Sequence, residues 1–223
     1  MDRRAWLVER RAAVTAAYDA EAVDYDDDPY PVEMQRAFVA RLIETCPAGG
    51  LILDAPCGTG QYFPMVAAAG RRVVGIDQSV GMLLQARARG IADALHAIGL
   101  QELTFDGAFD AAMTVDAMEN VFPEDWPTVI ANLHRAVRPG GHLYLTVEEV
   151  AREVIDEAYA ALAAAGVPAV RGEVIEGDVA GYHFYPGRDQ VERWLAAEGL
   201  RIVDAATDPQ DGWAYWHLLL RSM

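Results

Sequence analysis

Two short apolar runs in this chain each end in a carboxylate, and the interval between them defines a chemistry. Leu51-Ile52-Leu53-Asp54 opens into Ala55-Pro56-Cys57-Gly58-Thr59-Gly60, and about 20 residues further on Val73-Val74-Gly75-Ile76 ends at Asp77. An acid at a strand tip, then a turn whose glycines let a ligand approach the backbone, then a second acid at the next tip make a nucleoside site at the carboxyl edge of a parallel sheet. The two acceptor oxygens of Asp77 can take both O–H donors of a ribose cis-diol. A dinucleotide is a poorer match: Gly58-x-Gly60 lacks a third glycine, and Gln61-Tyr62-Phe63-Pro64 stands where a helix start would cradle a pyrophosphate.

The elements that must hold these acids can be read from the same pattern. Good helix formers fill residues 2–20, and a turn-prone acidic segment runs to Pro29-Tyr30-Pro31, with Pro31 suited to the first turn of a helix over 32–46. Strands are expected at 51–54, 72–77, 95–98, 109–115 and 142–148. Helices are expected at 62–69, at 80–89 with Ser79 as cap, and from Trp126 to Val137, after which Pro139-Gly140-Gly141 turns the chain. Short strands alternating with helices of about ten residues imply a parallel, doubly wound α/β sheet. Beyond it the pattern changes to a helix at 150–165, an extended Gly-punctuated stretch at 173–185, a helix at 188–198, and strands at 201–206 and 215–221.

Two further segments follow in order: Phe109-Asp110-Ala111-Ala112-Met113-Thr114-Val115-Asp116, and Leu133-His134-Arg135-Ala136-Val137-Arg138-Pro139-Gly140-Gly141-His142-Leu143. With these in view the chain resembles a class I S-adenosylmethionine-dependent methyltransferase of the small-molecule kind, similar to the ubiquinone and menaquinone methyltransferases. The resemblance runs from about Tyr18 to Glu148 and returns from Arg188 to the end. It implies a Rossmann-like, mostly parallel seven-stranded sheet with one antiparallel strand, helices on both faces and a small cap insertion. The organisation expected is one methyltransferase domain over 1–223: amino-terminal helices and lid (1–46), cofactor-binding core (47–149), substrate cap insertion (150–187), and a carboxy-terminal helix and hairpin (188–223).

The resemblance also assigns residues. Asp54 would anchor the methionine end of S-adenosylmethionine, with Ala55, Pro56, Cys57, Gly58 and Gly60 passing beneath it. Pro56 departs from the glycine common there and removes an N–H donor. Gln78 and Met82 would lie beside the adenine, Leu100 and Gln101 would pack on the ring and bond its edge, and Asp116 and Ala117 would line the methionine portion. Glu119, within Glu119-Asn120-Val121, and His183 are the candidate general bases; Glu119 could instead hold a cationic acceptor. Tyr25, Tyr182 and Tyr185 are the expected acceptor contacts, within an aromatic lid that also includes Tyr18, Tyr30 and Phe184. Structural alternatives stay open: a capping acid at 77, a helix-initiating acid at 116, a solvated loop residue at 119, a packed strand residue at 183. His96, His134, His142 and His217 receive no role.

Composition narrows the partners. A formal net charge of −16 over 223 residues, with no basic stripe, repels phosphate backbones and disfavours methylation of DNA or RNA. The implied acceptor is a small molecule, methylated by in-line displacement with S-adenosylhomocysteine leaving. Asp24-Tyr25-Asp26-Asp27-Asp28 reads as a solvated loop rather than a metal site, and Cys46 and Cys57 make neither a disulfide framework nor a zinc site, so no metal is expected. A small residue in the ligand loop explains Cys57 more simply than a nucleophile does. With no long apolar run and charged residues following Met1, the expectation is a soluble, cytoplasmic protein without a membrane partner; a homodimer stays open. The rival functions are a noncatalytic S-adenosylmethionine-binding protein, a Rossmann-type NAD-dependent dehydrogenase, and an aminopropyl transferase, whose acidic polyamine motifs are not seen.

Overall fold

The computed structural model describes residues 2–27, 33–176 and 181–223. The expected turn at Pro29-Tyr30-Pro31, and with it Asp28, Val32 and the lid residue Tyr30, lies outside them. The elements are α1 (Arg3–Glu21), α2 (Glu33–Thr45), β1 (Leu51–Asp54), α3 (Phe63–Ala68), β2 (Arg72–Asp77), α4 (Val80–Ala88), β3 (Ala94–Ala97) and β4 (Phe109–Thr114). They continue with α5 (Trp126–Ala136), β5 (Val137–Val150), α6 (Arg152–Ala164), β6 (Glu173–Glu176), β7 (Gly181–Phe184), α7 (Arg188–Ala197), β8 (Leu200–Pro209) and β9 (Trp213–Ser222). Short 3-10 turns cover Leu100–Glu102 and Met118–Asn120. Among the described residues no helix is long and apolar enough to cross a membrane.

Seven strands form one sheet in the order β3-β2-β1-β4-β5-β9-β8. The first five are mutually parallel, while β9 runs antiparallel to both β5 and β8. β1, β2 and β4 read as near-continuous apolar runs because helices cover both of their faces. Successive residues feed opposite cores. Leu53, Val74 and Ala112 pack with α1, α5 and α7, whereas Ile52, Val73 and Ala111 pack with α2, α3 and α4. The strand order reverses between β1 and β4, so the carboxyl ends of β1, β2 and β4 open onto one crevice, the usual ligand position in such sheets.

Two departures from the sequence expectation have physical reasons. β5 begins at Val137 rather than 142: Val137 pairs with Phe109, then the register breaks before Ala111 pairs with His142. The interruption is Pro139-Gly140-Gly141, where Gly140 takes φ +80°. The expected extended stretch 173–185 is a separate antiparallel hairpin, β6–β7, whose residues 177–180 lie outside the described set.

That hairpin is tied to α1 by a buried charge. Glu173, fully buried, accepts from Arg3 Nη1 and Nη2 at 3.0 and 2.9 Å, from the Tyr182 hydroxyl at 2.7 Å and from Val170 N at 2.6 Å. Arg3 also donates to Glu124 and to the carbonyl of Pro168. The other end of α1 docks on α4: Asp19 Oδ1 accepts from Ser79 Oγ at 2.6 Å and from Gly81 N at 2.8 Å. α1 therefore lies across the sheet edge, fixed at both ends over the crevice.

Candidate functional site

A cavity of about 710 Å³ opens at the carboxyl ends of β1, β2 and β4. Asp54, Pro56, Cys57 and Gly58 line it from the first tip, Asp77, Gln78 and Met82 from the second, Leu100 and Gln101 from the turn after β3, and Asp116 and Ala117 from the end of β4. The sequence expectation thus converges on one space. Ala55 and Gly60 belong to the same loop without reaching the wall; each is buried beneath it.

The glycine turn is shaped by its φ angles. Gly58 and Gly60 sit at +51° and +78°, the left-handed region that side chains disfavour. A Cβ on Gly60 would strike the Phe63 ring at 2.6 Å, whereas one on Gly58 would meet nothing within 4 Å and would intrude into the open cavity. Bare backbone at Gly58 is what lets a ligand lie close.

The three carboxyl groups at the strand tips face this space with unlike surroundings. Asp54 is 1% exposed, and its Oδ2 is buried with no hydrogen-bond partner. Burial, with Asp77 adding repulsion, pushes its carboxyl well above the usual range. Asp77 is better served: Oδ2 accepts from Gly58 N at 2.9 Å and Oδ1 from Ser79 N at 2.8 Å. Burial still raises it overall. Each of its oxygens keeps a second lone pair, so both can also accept from a diol.

Asp116, at the exit of β4, adopts φ +53°, a conformation tolerated by Asp more readily than by bulky residues. Its N–H donates to Thr146 Oγ1 at 2.7 Å and its Oδ1 accepts from the Tyr215 hydroxyl of β9. Burial raises this carboxyl to about 6. Cys57, raised by burial and then by Asp54 and Asp77, keeps its proton and is a poor nucleophile.

The amino-terminal segment closes the cavity from above. Tyr18 and Tyr25 line it, their rings tilted against each other with centroids 6.2 Å apart. Asp26, expected only as a solvated loop acid, latches the segment to the glycine turn. It accepts from Thr59 Oγ1 at 2.8 Å, Gln61 Nε2 at 3.0 Å and Arg89 Nη2 at 2.5 Å. Tyr62 and Arg36 also line the wall, the Tyr62 hydroxyl donating to Gln35 Oε1 of α2 at 2.9 Å. Sequence reasoning missed Asp26, Arg36, Tyr62 and Tyr215 because the contacts that bring them in are long-range; Asn120 was in view only within Glu119-Asn120-Val121.

The remaining candidates sit elsewhere. Among the described residues, none of those from 150 to 187 lines the cavity. Tyr182 is fully buried against Trp6 and Phe122 with its hydroxyl on Glu173, so it is a core residue and the expectation of an acceptor contact is corrected. Tyr185 is buried, with its hydroxyl 2.7 Å from His183 Nδ1, and neither this expected acceptor contact nor the candidate base His183 lines the cavity. Phe184, expected in the lid, packs edge-on against Trp126. β7 instead buttresses the turn Met118–Asn120 from behind. Glu119 lies in that turn, 5% exposed and just behind the wall: Oε1 accepts from Asn120 Nδ2 at 3.1 Å and Oε2 has no partner. Burial, then Asp116 and Glu148, hold its carboxyl well above the usual range. It is neither the solvated loop residue of the alternative reading nor a group open to the cavity.

Fold and crevice correspond to a known family. Residues 52–141 match the family model described as a methyltransferase domain, a stretch that runs from β1 into β5 and includes the loops at the crevice. Its relatives include a malonyl-[acyl-carrier protein] O-methyltransferase of Pseudescherichia vulneris, 34% identical over 63% of this chain and 55% of that protein. Another is methyltransferase-like protein 27 of Homo sapiens, 35% identical over 63% of this chain and 64% of that one. The chain spans about half the length of the first curated relatives it matches. Among solved structures, the 1,6-didemethyltoxoflavin-N1-methyltransferase of Burkholderia thailandensis, with bound 1,6-didemethyltoxoflavin and S-adenosylhomocysteine, superposes with a TM-score of 0.71 at 17% identity, covering 100% of this chain and 91% of that one. At that identity the likeness speaks to the fold.

Proposed function

We propose that this protein transfers a methyl group from S-adenosylmethionine to a small-molecule acceptor. The observation that carries the reading is the Asp54 carboxyl, almost wholly buried with one unpartnered oxygen, in a crevice that also presents Asp77 and Asp116. Buried acids of raised pKa are relieved by a cation. An adenosyl sulfonium with an amino-acid tail brings two positive groups and a ribose diol. The residues present fit that group: Asp77 for the diol, Asp54 and Asp116 for the ammonium, open backbone at Gly58 for close approach, and Leu100, Gln101 and Met82 for the adenine. Arg36, in no ion pair among the described residues, suits the carboxylate of the tail.

The sulfonium supplies an already activated methyl. What remains for the protein is alignment, exclusion of water by α1 and the latched segment 22–27, and a place for the acceptor's proton when it carries one. A dinucleotide would bring a diphosphate to a crevice lined by Asp24, Asp26, Asp54 and Asp77. The loop offers no compensating helix start, since α3 is six residues long with a proline in its first turn. The net charge of −16 supports a small acceptor over a nucleic acid.

The test is incubation with trideuteromethyl-labelled S-adenosylmethionine and a panel of phenolic, amine and nucleoside acceptors, read by mass. A labelled methyl on one acceptor with S-adenosylhomocysteine released is the expected result. A protein stabilised by NAD and indifferent to S-adenosylhomocysteine would belong to the dehydrogenases; one that binds S-adenosylhomocysteine yet methylates nothing would be a binding module.

A further inference from the structure

The turn Met118–Asn120 holds the Asn120 side-chain amide in a single orientation. Its Nδ2 donates to Glu119 Oε1 at 3.1 Å and to the Tyr18 hydroxyl at 3.3 Å, which uses both N–H bonds. Glu119 sits behind the wall at 5% exposure, and a carboxyl oxygen accepts there whether the group is ionised or carries its proton on the other oxygen. Turning the amide over would set the Asn120 carbonyl against that oxygen unless the Glu119 proton moved onto Oε1. Asn120 and Tyr18 both line the cavity, so the arrangement leaves Asn120 Oδ1 to it as an acceptor. Tyr18 accepts from Asn120, and burial together with Glu119 keeps its phenol protonated; its own O–H is the donor that remains. Val14, Val121 and Phe122 supply an apolar wall around this pair. The nearby cation Arg11 is engaged by Asp125.

We propose that Asn120 Oδ1 and the Tyr18 O–H are the specificity pair for the methyl acceptor. They read a small, flat, uncharged ring that places an N–H or O–H beside a carbonyl or ring nitrogen, as a lactam or hydroxy-heteroarene does. Glu119 is a positioning residue that fixes which way the amide points. The inference rests on the methyl-donor reading above and deepens it. An acceptor recognised through a carboxylate is disfavoured here, because Asp116 and Glu148 already repel negative charge at Glu119 in the turn.

The test uses protein with and without saturating S-adenosylhomocysteine and three probes followed by ligand-observed NMR: 2-pyridone, N-methyl-2-pyridone and benzoate. 2-Pyridone offers donor and acceptor together, the N-methyl analogue keeps only the acceptor, and benzoate is the anion. The expected result is that 2-pyridone binds at least about fivefold tighter than its N-methyl analogue, as one hydrogen bond warrants, and that benzoate does not compete. In Glu119→Gln the new amide can donate to Asn120 Oδ1 and let it turn over, so the preference should fall to within about twofold. Tyr18→Phe should weaken both pyridones alike through the lost O–H. Retained S-adenosylhomocysteine affinity in each variant certifies the fold.

Equal affinities for the two pyridones, no binding of 2-pyridone, tighter binding of benzoate, or an unchanged preference in Glu119→Gln would each overturn the proposal. Failure of S-adenosylhomocysteine to bind the wild type would instead overturn the methyl-donor reading, while the pyridone ratio measured without it still judges the specificity pair.

Discussion

Replacing Asp54 with Asn separates what this residue does for binding from what it costs the fold. Asp54 is 1% exposed, Oδ2 has no partner, and burial with Asp77 nearby raises its pKa well above the usual value. The unfolded chain releases this proton near pH 4, whereas the folded chain retains it to higher pH. Folding is therefore disfavoured progressively as pH rises above about 4, and the penalty is absent below that. An uncompensated buried polar or charged group costs about 1–3 kcal/mol, and in a chain of this size each kcal/mol moves Tm by about 2–4 °C. Asp54→Asn keeps an unpartnered buried polar group but has no proton to lose, so it should melt higher than wild type at pH 7.5, by at most about 12 °C, with the gain shrinking toward pH 4.5. The same change removes a charge-assisted hydrogen bond worth about 1.5–3 kcal/mol, so S-adenosylhomocysteine should bind about 10- to 150-fold more weakly. Scanning calorimetry at the two pH values and a calorimetric titration measure both effects. A variant that melts no higher than wild type at pH 7.5 and binds S-adenosylhomocysteine within about threefold of it would refute the reasoning.

Asp77→Ala, which removes the partner of Gly58 N and Ser79 N as well as the proposed diol acceptor, should lower S-adenosylhomocysteine affinity by more than about tenfold in the same titration. Because burial lifts Asp116 to about 6, its ionised form, the one that attracts an ammonium, is lost as pH falls through that value. Affinity measured from pH 7.5 down to 5 should weaken across this window, and a flat profile would exclude Asp116 from the site. Glu173→Ala leaves Arg3, the Tyr182 hydroxyl and Val170 N without their shared acceptor. With Arg3 still able to reach Glu124, the loss should fall near the lower end of the range for broken buried pairs, about 3 kcal/mol. That lowers Tm by roughly 6–12 °C with little change in ligand affinity; an unchanged melting curve would contradict the tie between α1 and the hairpin.

How far the sequence could be read depended on how local each signal was. The runs ending at Asp54 and Asp77 became β1 and β2 at the expected boundaries because central parallel strands are apolar on both faces. β3 lies one residue earlier than the expected 95–98, and as an edge strand, intermediate to exposed throughout, it has little apolar pattern to mark its ends. Ser79 was legible as a cap, and its Oγ does accept from Met82 N at 3.1 Å. In 173–185, by contrast, an aromatic alternation gives a strand but not the direction its faces point. Tyr182 turned inward because Glu173, nine residues earlier, is held by Arg3 at the other end of the chain. The latch from Asp26 to Thr59, Gln61 and Arg89 spans 33 to 63 residues, and Tyr215 reaches Asp116 across 99. No periodicity encodes such meetings. The acids at strand tips were visible because topology alone brings those tips together.

The structure of the complex with S-adenosylhomocysteine tests the central claim most directly. Ribose hydroxyls within hydrogen-bond reach of both Asp77 oxygens, with the amino-acid end at Asp54 and Asp116, is the predicted arrangement. Ligand bound away from the crevice, or bound within it without touching Asp54 or Asp77, would contradict the account.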